Sequence, residues 1–204
     1  QALSDSVYKK VNRGHTLKDV ITATRTCKDS ALKVCYHLMP GLFSTPKEDI
    51  GYFKTLFTDS RFQPDMLKIY PTLVLKGTGL YELWKNGKYE PYDTETAAEV
   101  IVDATPFIPE YVRIMRIQRD IPANLIEAGV KKGNLREIVD AKLTEKGIRC
   151  KCIRCREIGL KSLNGGTAVD LKNVKLKRID YAASGGKEIF LQFIEPTEDI
   201  LIGF

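Results

Sequence analysis

An α/β fold built on parallel strands is what this sequence predicts. Three observations predict it: short β-prone runs alternate with stretches of helical periodicity between residues 16 and 147; prolines and glycines close the runs; and successive runs lie far enough apart for a helix to carry the chain back to the same edge. The 204 residues are 43% hydrophobic and 28% charged, which excludes a disordered chain and a collagen-like fibre. No stretch approaches the run of about 18 apolar residues that a membrane-spanning helix needs. The opening Gln1-Ala-Leu-Ser-Asp-Ser has neither the basic flank nor the apolar run of a secretory signal, and it reads as a processed or cut end.

The elements follow in order. Thr16 can cap a helix running toward Asp29, with Leu17, Val20, Ile21 and Ala23 or Thr24 at helical spacing. Lys33-Val-Cys-Tyr-His-Leu is a short strand, closed by the turn Met39-Pro40-Gly41. Pro46 opens a second helix whose Ile50, Phe53, Leu56 and Phe57 recur on one face. Met66-Leu-Lys-Ile-Tyr is the second strand, closed by Pro71. A loop marked by Gly77, Gly79 and Gly87 leads to Thr94, which begins a third helix through Ala97, Val100, Ile101 and Ala104. Val112-Arg-Ile-Met-Arg-Ile is the third strand. Asn134 is the predicted cap of a fourth helix, with Leu135, Ile138, Val139 and Leu143 inward and Gly147 as its stop. A complete eight-fold barrel takes about 250 residues, so this segment is predicted to be the latter half of a barrel or a small open sheet.

The pattern changes after Cys155. Val174-Lys-Leu-Lys-Arg-Ile-Asp-Tyr alternates, Ser184-Gly185-Gly186 turns, and Glu188-Ile-Phe-Leu-Gln-Phe-Ile answers it, which predicts a hairpin. Asp199-Ile-Leu-Ile-Gly-Phe starts a further strand, so a second, antiparallel domain is expected to begin here and to be incomplete.

Charge and cysteines are unevenly placed. The net charge is +6, and the stretch from Lys131 to Lys161 holds ten Lys or Arg against four Asp or Glu. Lys172, Lys175, Lys177 and Arg178 follow. Such a concentration is either a solvated basic face or the footprint of a polyanion such as nucleic acid. Of five cysteines, Cys27 and Cys35 stand singly, whereas Cys150, Cys152 and Cys155 form Cys-x-Cys-x-x-Cys among basic residues. Clustering of this kind fits a reducing, cytoplasmic setting and a metal site, with unliganded thiols as the alternative. Zinc would need a fourth ligand, and His15, His37, Cys27, Cys35 or a residue beyond Phe204 are all open. The spacing does not match the common ferredoxin patterns.

In a parallel barrel the C-terminal strand ends face the active site, which makes His37, Lys68, Tyr70 and Lys76 candidate cavity residues. A hydrogen-bonded core histidine is the plainer alternative for His37, and loop architecture for His15. Lys76-Gly-Thr-Gly lacks the spacing of a phosphate loop. Tyr81, Trp84, Tyr89 and Tyr92 lie among Lys85 and Lys88, a mixture that suits either stacking on unpaired bases or a packed loop at the barrel mouth.

Seven segments then occur in a recognisable order: Asn12-Arg-Gly-His-Thr, His37-Leu-Met-Pro, Leu67-Lys-Ile-Tyr-Pro-Thr-Leu-Val, Gly77-Thr-Gly-Leu-Tyr-Glu-Leu-Trp, Gln118-Arg-Asp-Ile-Pro, Gly133-Asn-Leu-Arg-Glu and Arg156-Glu-Ile-Gly. With them the whole chain closely resembles the family of the Elongator catalytic subunit (the Elongator protein three family), in an archaeal form. The resemblance implies the C-terminal part of a radical S-adenosylmethionine (radical SAM) partial barrel over 1–148, a cysteine-rich metal-binding junction over 149–165, and the first antiparallel strands of a GNAT-type acetyltransferase domain over 166–204. It implies an enzyme that carboxymethylates the wobble uridine of tRNA at carbon five, using acetyl-CoA, S-adenosylmethionine and a 4Fe-4S cluster. By the family's organisation, the cluster cysteines lie upstream of Gln1 and the acetyl-CoA loop beyond Phe204, so this stretch alone is expected to be inactive.

The resemblance also implies zinc on Cys150, Cys152 and Cys155. Within it, His37, Lys68, Tyr70 and Lys76 are expected to line the catalytic face, and Lys131, Lys132, Arg149, Lys151, Arg154 and Arg156 to contact tRNA phosphates. Expected partners are tRNA, acetyl-CoA and, in eukaryotic relatives, accessory Elongator subunits; archaeal forms are expected to be self-sufficient or homodimeric, and no membrane is involved. The rival from another class is a non-catalytic, zinc-stabilised RNA-binding module. A different radical SAM enzyme is disfavoured by the motifs from Arg156 onward.

Overall fold

The computed structural model describes residues 1–163 and 169–204; the end of the expected 149–165 junction therefore lies outside the described residues, as does the start of the segment expected to follow it. The chain opens with α1 (Asp5–Lys10) and α2 (Leu17–Asp29), then runs β1 (Cys35–Leu38), α3 (Pro46–Thr58), β2 (Met66–Ile69), β3 (Val74–Leu75), α4 (Gly79–Lys85), α5 (Thr94–Ala104), β4 (Arg113–Ile117), β5 (Ile126–Ala128) and α6 (Leu135–Glu145). Two short helices follow, α7 (Ile153–Arg156) and α8 (Ile158–Leu163), and then β6 (Lys175–Ala183), β7 (Gly186–Glu195) and β8 (Ile200–Gly203).

Local chemistry explains the helix starts. Thr16 with Asp19, and Thr45 with Glu48, form reciprocal capping boxes at α2 and α3, and Pro46 occupies the first turn of α3. Asp93 caps α5 by accepting the Thr96 N–H at 2.7 Å. Asn134 precedes α6 as predicted, but its side chain caps nothing. The buried helix-end N–H of Leu135 donates instead to Oε1 of Gln118, 3.3 Å away at the end of β4.

Strands β1, β2 and β4 form a parallel sheet in that order. On one face Leu38, Leu67, Ile69 and Ile114 pack with Phe53 and Leu56 of α3 and Ala97 and Ile101 of α5, the main core. On the other face His37, Lys68 and Arg116 are register neighbours across the three strands. Lysines of α6 hold α5 alongside: Lys142 pairs with Glu95 and, at 2.7 Å, with Glu99, and Lys146 with Glu99 at 2.5 Å and Asp103 at 3.3 Å.

The glycine-marked loop contains structure that periodicity did not reveal. β3 leaves the parallel sheet to pair antiparallel with β5, and α4 follows it. Gly129 lets the two chains approach: its φ is +105, and a Cβ there would lie 3.0 Å from the Thr72 carbonyl oxygen.

The predicted hairpin forms as β6 and β7, with β8 on the far side of β7. Ser184 (φ +50) and Gly185 (φ +84) supply the two left-handed residues that a tight two-residue turn requires. The inner face of this sheet rests on the parallel-sheet body: Tyr181 stacks on Tyr111 with ring centroids 3.8 Å apart, and Lys28 bridges Asp65 and Glu188 at 3.4 Å each. On the outer face Leu176, Ile189, Leu191 and Phe193 stand bare, with 48% to 60% of their surface exposed. No helix among the described residues is long and apolar enough to cross a membrane.

Candidate active-site cavity and thiol centre

The C-terminal ends of β1, β2 and β4 open on a cavity of about 800 Å³ lined by His37, Met39, Tyr70, Arg116 and Arg119, with Arg13 and His15 contributed by the loop before α2. His37 and Tyr70 meet edge to face, ring centroids 5.5 Å apart. The Arg119 guanidinium lies over the Tyr70 ring at 5.9 Å. Partial desolvation, followed by the positive charges of Lys68 and Arg119, holds the His37 pKa below the ordinary imidazole value. This environment disfavours the protonated imidazole.

The turn after β1, whose Met39 lines the cavity, is braced by a separate network. The Asp49 carboxylate accepts the Gly41 N–H, the Ser44 hydroxyl and the Tyr92 hydroxyl, each at 2.8 Å, while Tyr89 donates to the Gly41 carbonyl at 2.8 Å. Gly41 has φ +79 and would bring a Cβ to 3.1 Å from the Tyr92 ring, so the turn after β1 needs glycine there. Tyr89 and Tyr92 are thus packing residues. Tyr81 and Trp84 sit on α4, none of whose residues is buried.

Of the four residues expected at the cavity, His37 and Tyr70 line it together. Lys68 is the register neighbour of His37 on the same sheet face. Lys76 is not brought there: it follows β3, whose turn away to β5 leaves it exposed outside the cavity. Arg13, Arg116 and Arg119 escaped the sequence reading. The available signal was their place in Asn12-Arg-Gly-His-Thr and at the end of the alternating strand Val112–Ile117.

The second centre lies at the opposite, N-terminal end of β4. The Sγ atoms of Cys150, Cys152 and Cys155 fall within 4.8 Å of one another. Ile153 donates its N–H to the Val112 carbonyl at 2.9 Å, and Cys155 to the Cys152 carbonyl at 3.1 Å, so the loop wraps the three thiols inward. Hydrogen bonds from Cys150 and Cys155 hold Cys152 far below an ordinary thiol pKa, and the same contacts push Cys150 up. Three converging sulfurs, one of them favoured as thiolate, fit a soft divalent cation such as zinc. None of the fourth-ligand candidates considered within the chain is near: His15 and His37 line the strand-end cavity, and Cys27 and Cys35 line a groove beside α2. Cys150 and Cys155 instead face a depression that also holds Arg136, Asp140, Arg149 and Arg154.

Among the basic residues, Lys131, Lys132, Arg149 and Lys151 are exposed and Arg154 is half-buried; Arg149 also donates to the Glu198 carbonyl. Arg156 corrects the expectation of a phosphate contact. It is 0% exposed, and its guanidinium donates to the Lys151 carbonyl (2.8 Å), the Glu110 carbonyl (3.0 Å), Gln192 Oε1 (2.8 Å) and Asp199 (3.2 Å). Four of its N–H groups are thus taken up inside the protein.

Comparison with known proteins agrees with this geometry. The radical SAM C-terminal domain family matches residues 64–145. The tRNA uridine(34) acetyltransferase of Methanocaldococcus infernus is 51% identical over 205 residues, covering 100% of this chain and 38% of the relative. The protein of the same name from Methanocaldococcus jannaschii is 50% identical over the same 100% and 38%. Elongator complex protein 3 of Homo sapiens is 43% identical, covering 100% and 37%. Among solved structures, archaeal M. infernus Elp3 with an N-terminal deletion (1-46) superimposes with a TM-score of 0.95 at 51% identity, over 98% of this chain and 47% of that one. The chain thus spans well under half the length of the curated relatives it matches, and over its whole extent it is similar to Elongator protein 3 and the tRNA uridine(34) acetyltransferases, with a radical SAM C-terminal domain match inside it.

Proposed function

We propose that this chain is part of an enzyme that modifies the wobble uridine of tRNA, placing a carboxymethyl group at carbon five from acetyl-CoA, in the cytoplasm. The observation that carries the reading is the coincidence of 51% identity, along the whole of this chain, to a tRNA uridine(34) acetyltransferase with an accessible, basic, aromatic-edged cavity at the C-terminal strand ends. Residues 1–148 would be the latter part of the radical SAM barrel, 149–165 a zinc-binding junction, and 166–204 the start of the acetyltransferase domain.

The residues here do not fit a 4Fe-4S cluster at the cavity: Cys35 is the sole cysteine lining it, and the three grouped thiols lie at the far end of β4. Cluster ligands are therefore assigned to another part of the longer protein. S-adenosylmethionine, bound there, would supply the radical chemistry that carbon substitution on a uracil ring demands. The chain's own residues do the rest. Tyr70 and His37 give the base an aromatic wall, and neutral His37 is placed to take up the proton displaced from carbon five. Partial desolvation, with the positive charges of Lys68 and Arg119, disfavours protonation of that imidazole. Lys76, outside the cavity, is reassigned from this group. Zinc on Cys150, Cys152 and Cys155 would cross-link the junction, and Lys131, Lys132, Arg149, Lys151 and Arg154 would meet tRNA phosphates.

The test is made on the longer protein with tRNA, acetyl-CoA and S-adenosylmethionine, quantifying carboxymethylated uridine by mass spectrometry. His37→Ala is expected to lower the rate by about 100-fold with tRNA binding retained, and Tyr70→Ala to lower it as well. Charge reversal at Lys131 and Lys132 is expected to weaken tRNA binding and shallow its salt dependence. Wild-type rates in both cavity variants would overturn the catalytic assignment. Tight tRNA binding with no modified uridine at all would favour the RNA-binding-module reading instead.

A further inference from the structure

We propose that Arg13 and Arg119 form a phosphate cradle at the mouth of the strand-end cavity, gripping the RNA backbone beside the nucleotide that enters; this rests on the reading that RNA is the substrate. The argument starts from strained backbone. Gln118 is not a glycine, yet its φ is +74. Two bonds hold it there: its N–H donates to the Ile69 carbonyl at 2.8 Å, and its buried side chain accepts the Leu135 N–H at the start of α6. The chain is thereby reversed as it leaves β4, and Arg119 is laid over Tyr70 in the cavity instead of continuing away from it. Such a conformation persists only where its surroundings over-determine it, and what it achieves here is the aim of one guanidinium.

A matching device stands on the α2 side of the same cavity. Arg13 lies between Asn12 (φ +51) and Gly14 (φ +75), and its N–H is fixed to the Tyr8 carbonyl at 2.9 Å. Arg116, the third arginine, is neutralised by Asp120. Neither Arg13 nor Arg119 has a carboxylate at ion-pair distance among the described residues, although both line the cavity. Two guanidiniums left uncompensated around one opening select an oxyanion, and their planar forks suit the paired oxygens of a phosphodiester. The carboxylate of S-adenosylmethionine is the competing anion. Arg119 is exposed at the rim, which suits a polymer running past the mouth better than a small molecule held deep inside.

The experiment uses the longer protein and an anticodon stem-loop RNA, in its native form and with a neutral methylphosphonate linkage on either side of the target uridine. Arg13→Gln and Arg119→Gln are each expected to weaken native RNA about ten-fold and to lower the salt slope by about one. Against one of the two neutral-linkage RNAs they are expected to bind no worse than wild type does, because the contact is already gone. Unchanged thermal melting shows that the variants fold. Losses that add fully to both neutral substitutions, or a loss confined to S-adenosylmethionine affinity in equilibrium dialysis, overturn the cradle while leaving the substrate reading intact. Failure of wild-type protein to bind the native RNA overturns both.

Discussion

Arg156 shows what a single side chain does when charge is taken inside. Four acceptors, from the loop before β4, the thiol loop, β7 and the turn before β8, converge on its one guanidinium. Breaking a buried, fully paired cation costs about 3–5 kcal/mol, because the remaining partners lose their bonds where water does not replace them. Arg156→Gln is therefore expected to lower unfolding stability by about 3 kcal/mol in denaturant titration, and to make the Cys150 thiol react faster with a thiol reagent, since the Lys151 carbonyl next to it is released. Unchanged stability and reactivity would remove the keystone role. The basic run that contains Arg156 gave no sign of this, because charge density along a sequence does not say which residue points inward. The thiol centre was legible for the opposite reason: three ligands within six residues need no tertiary information to meet. Arg13 and Arg119 were hidden, because two loops distant in sequence must fold before they share a cavity.

Elements were legible wherever their ends carry their own chemistry. Thr16 was legible as a cap and Pro46 and Thr94 as helix starts because cap and first turn are adjacent in sequence; Thr45 and Asp93 are the caps that precede the latter two. Asn134 is the instructive exception, for the N–H it was expected to satisfy is taken by Gln118, a residue earlier in the chain and buried. The contrast is measurable. Thr45→Ala is expected to cost about 1 kcal/mol, whereas Asn134→Ala is expected to change stability by less than about 0.5 kcal/mol. Gln118→Ala, which leaves the buried Leu135 N–H without its acceptor, is expected to cost about 1–3 kcal/mol. Equal effects at Asn134 and Gln118 in urea titrations would contradict this account of α6. β3, β5 and α4 were missed for a different reason. Two- and three-residue strands are too short to show a period, and the glycines around them read simply as loop.

At the scale of the molecule, β4 is the axis of the arrangement. Its C-terminal end opens into the cavity, and its N-terminal end anchors the junction through Ile153 to Val112 and through the paired bonds of Arg113 to Glu157, at 2.7 and 2.9 Å. The thiol centre lies directly on this anchor. Loading the three thiols with zinc and then removing it with a chelator is expected to raise hydrogen exchange in α7, β7 and β8 while leaving β1 and β2 protected, as followed by mass spectrometry. Uniform loss of protection across all the strands would show that the metal holds the whole fold and not the junction. That β1, β2 and β4 run parallel was legible from spacing, whereas their order and the seating of the β6–β8 sheet on the parallel-sheet body, which depends on Tyr111, Tyr181, Lys28 and Arg156, could not be read from periodicity.

The bare side of the β6–β7 hairpin has a practical outcome at the bench. Leu176, Ile189, Leu191 and Phe193 form a ridge of greasy side chains along a strand pair whose β6 edge pairs with no further strand among the described residues. Produced by itself, this polypeptide would stick to its own copies through that ridge, and turbidity rising with concentration would limit its handling before any loss of internal order did.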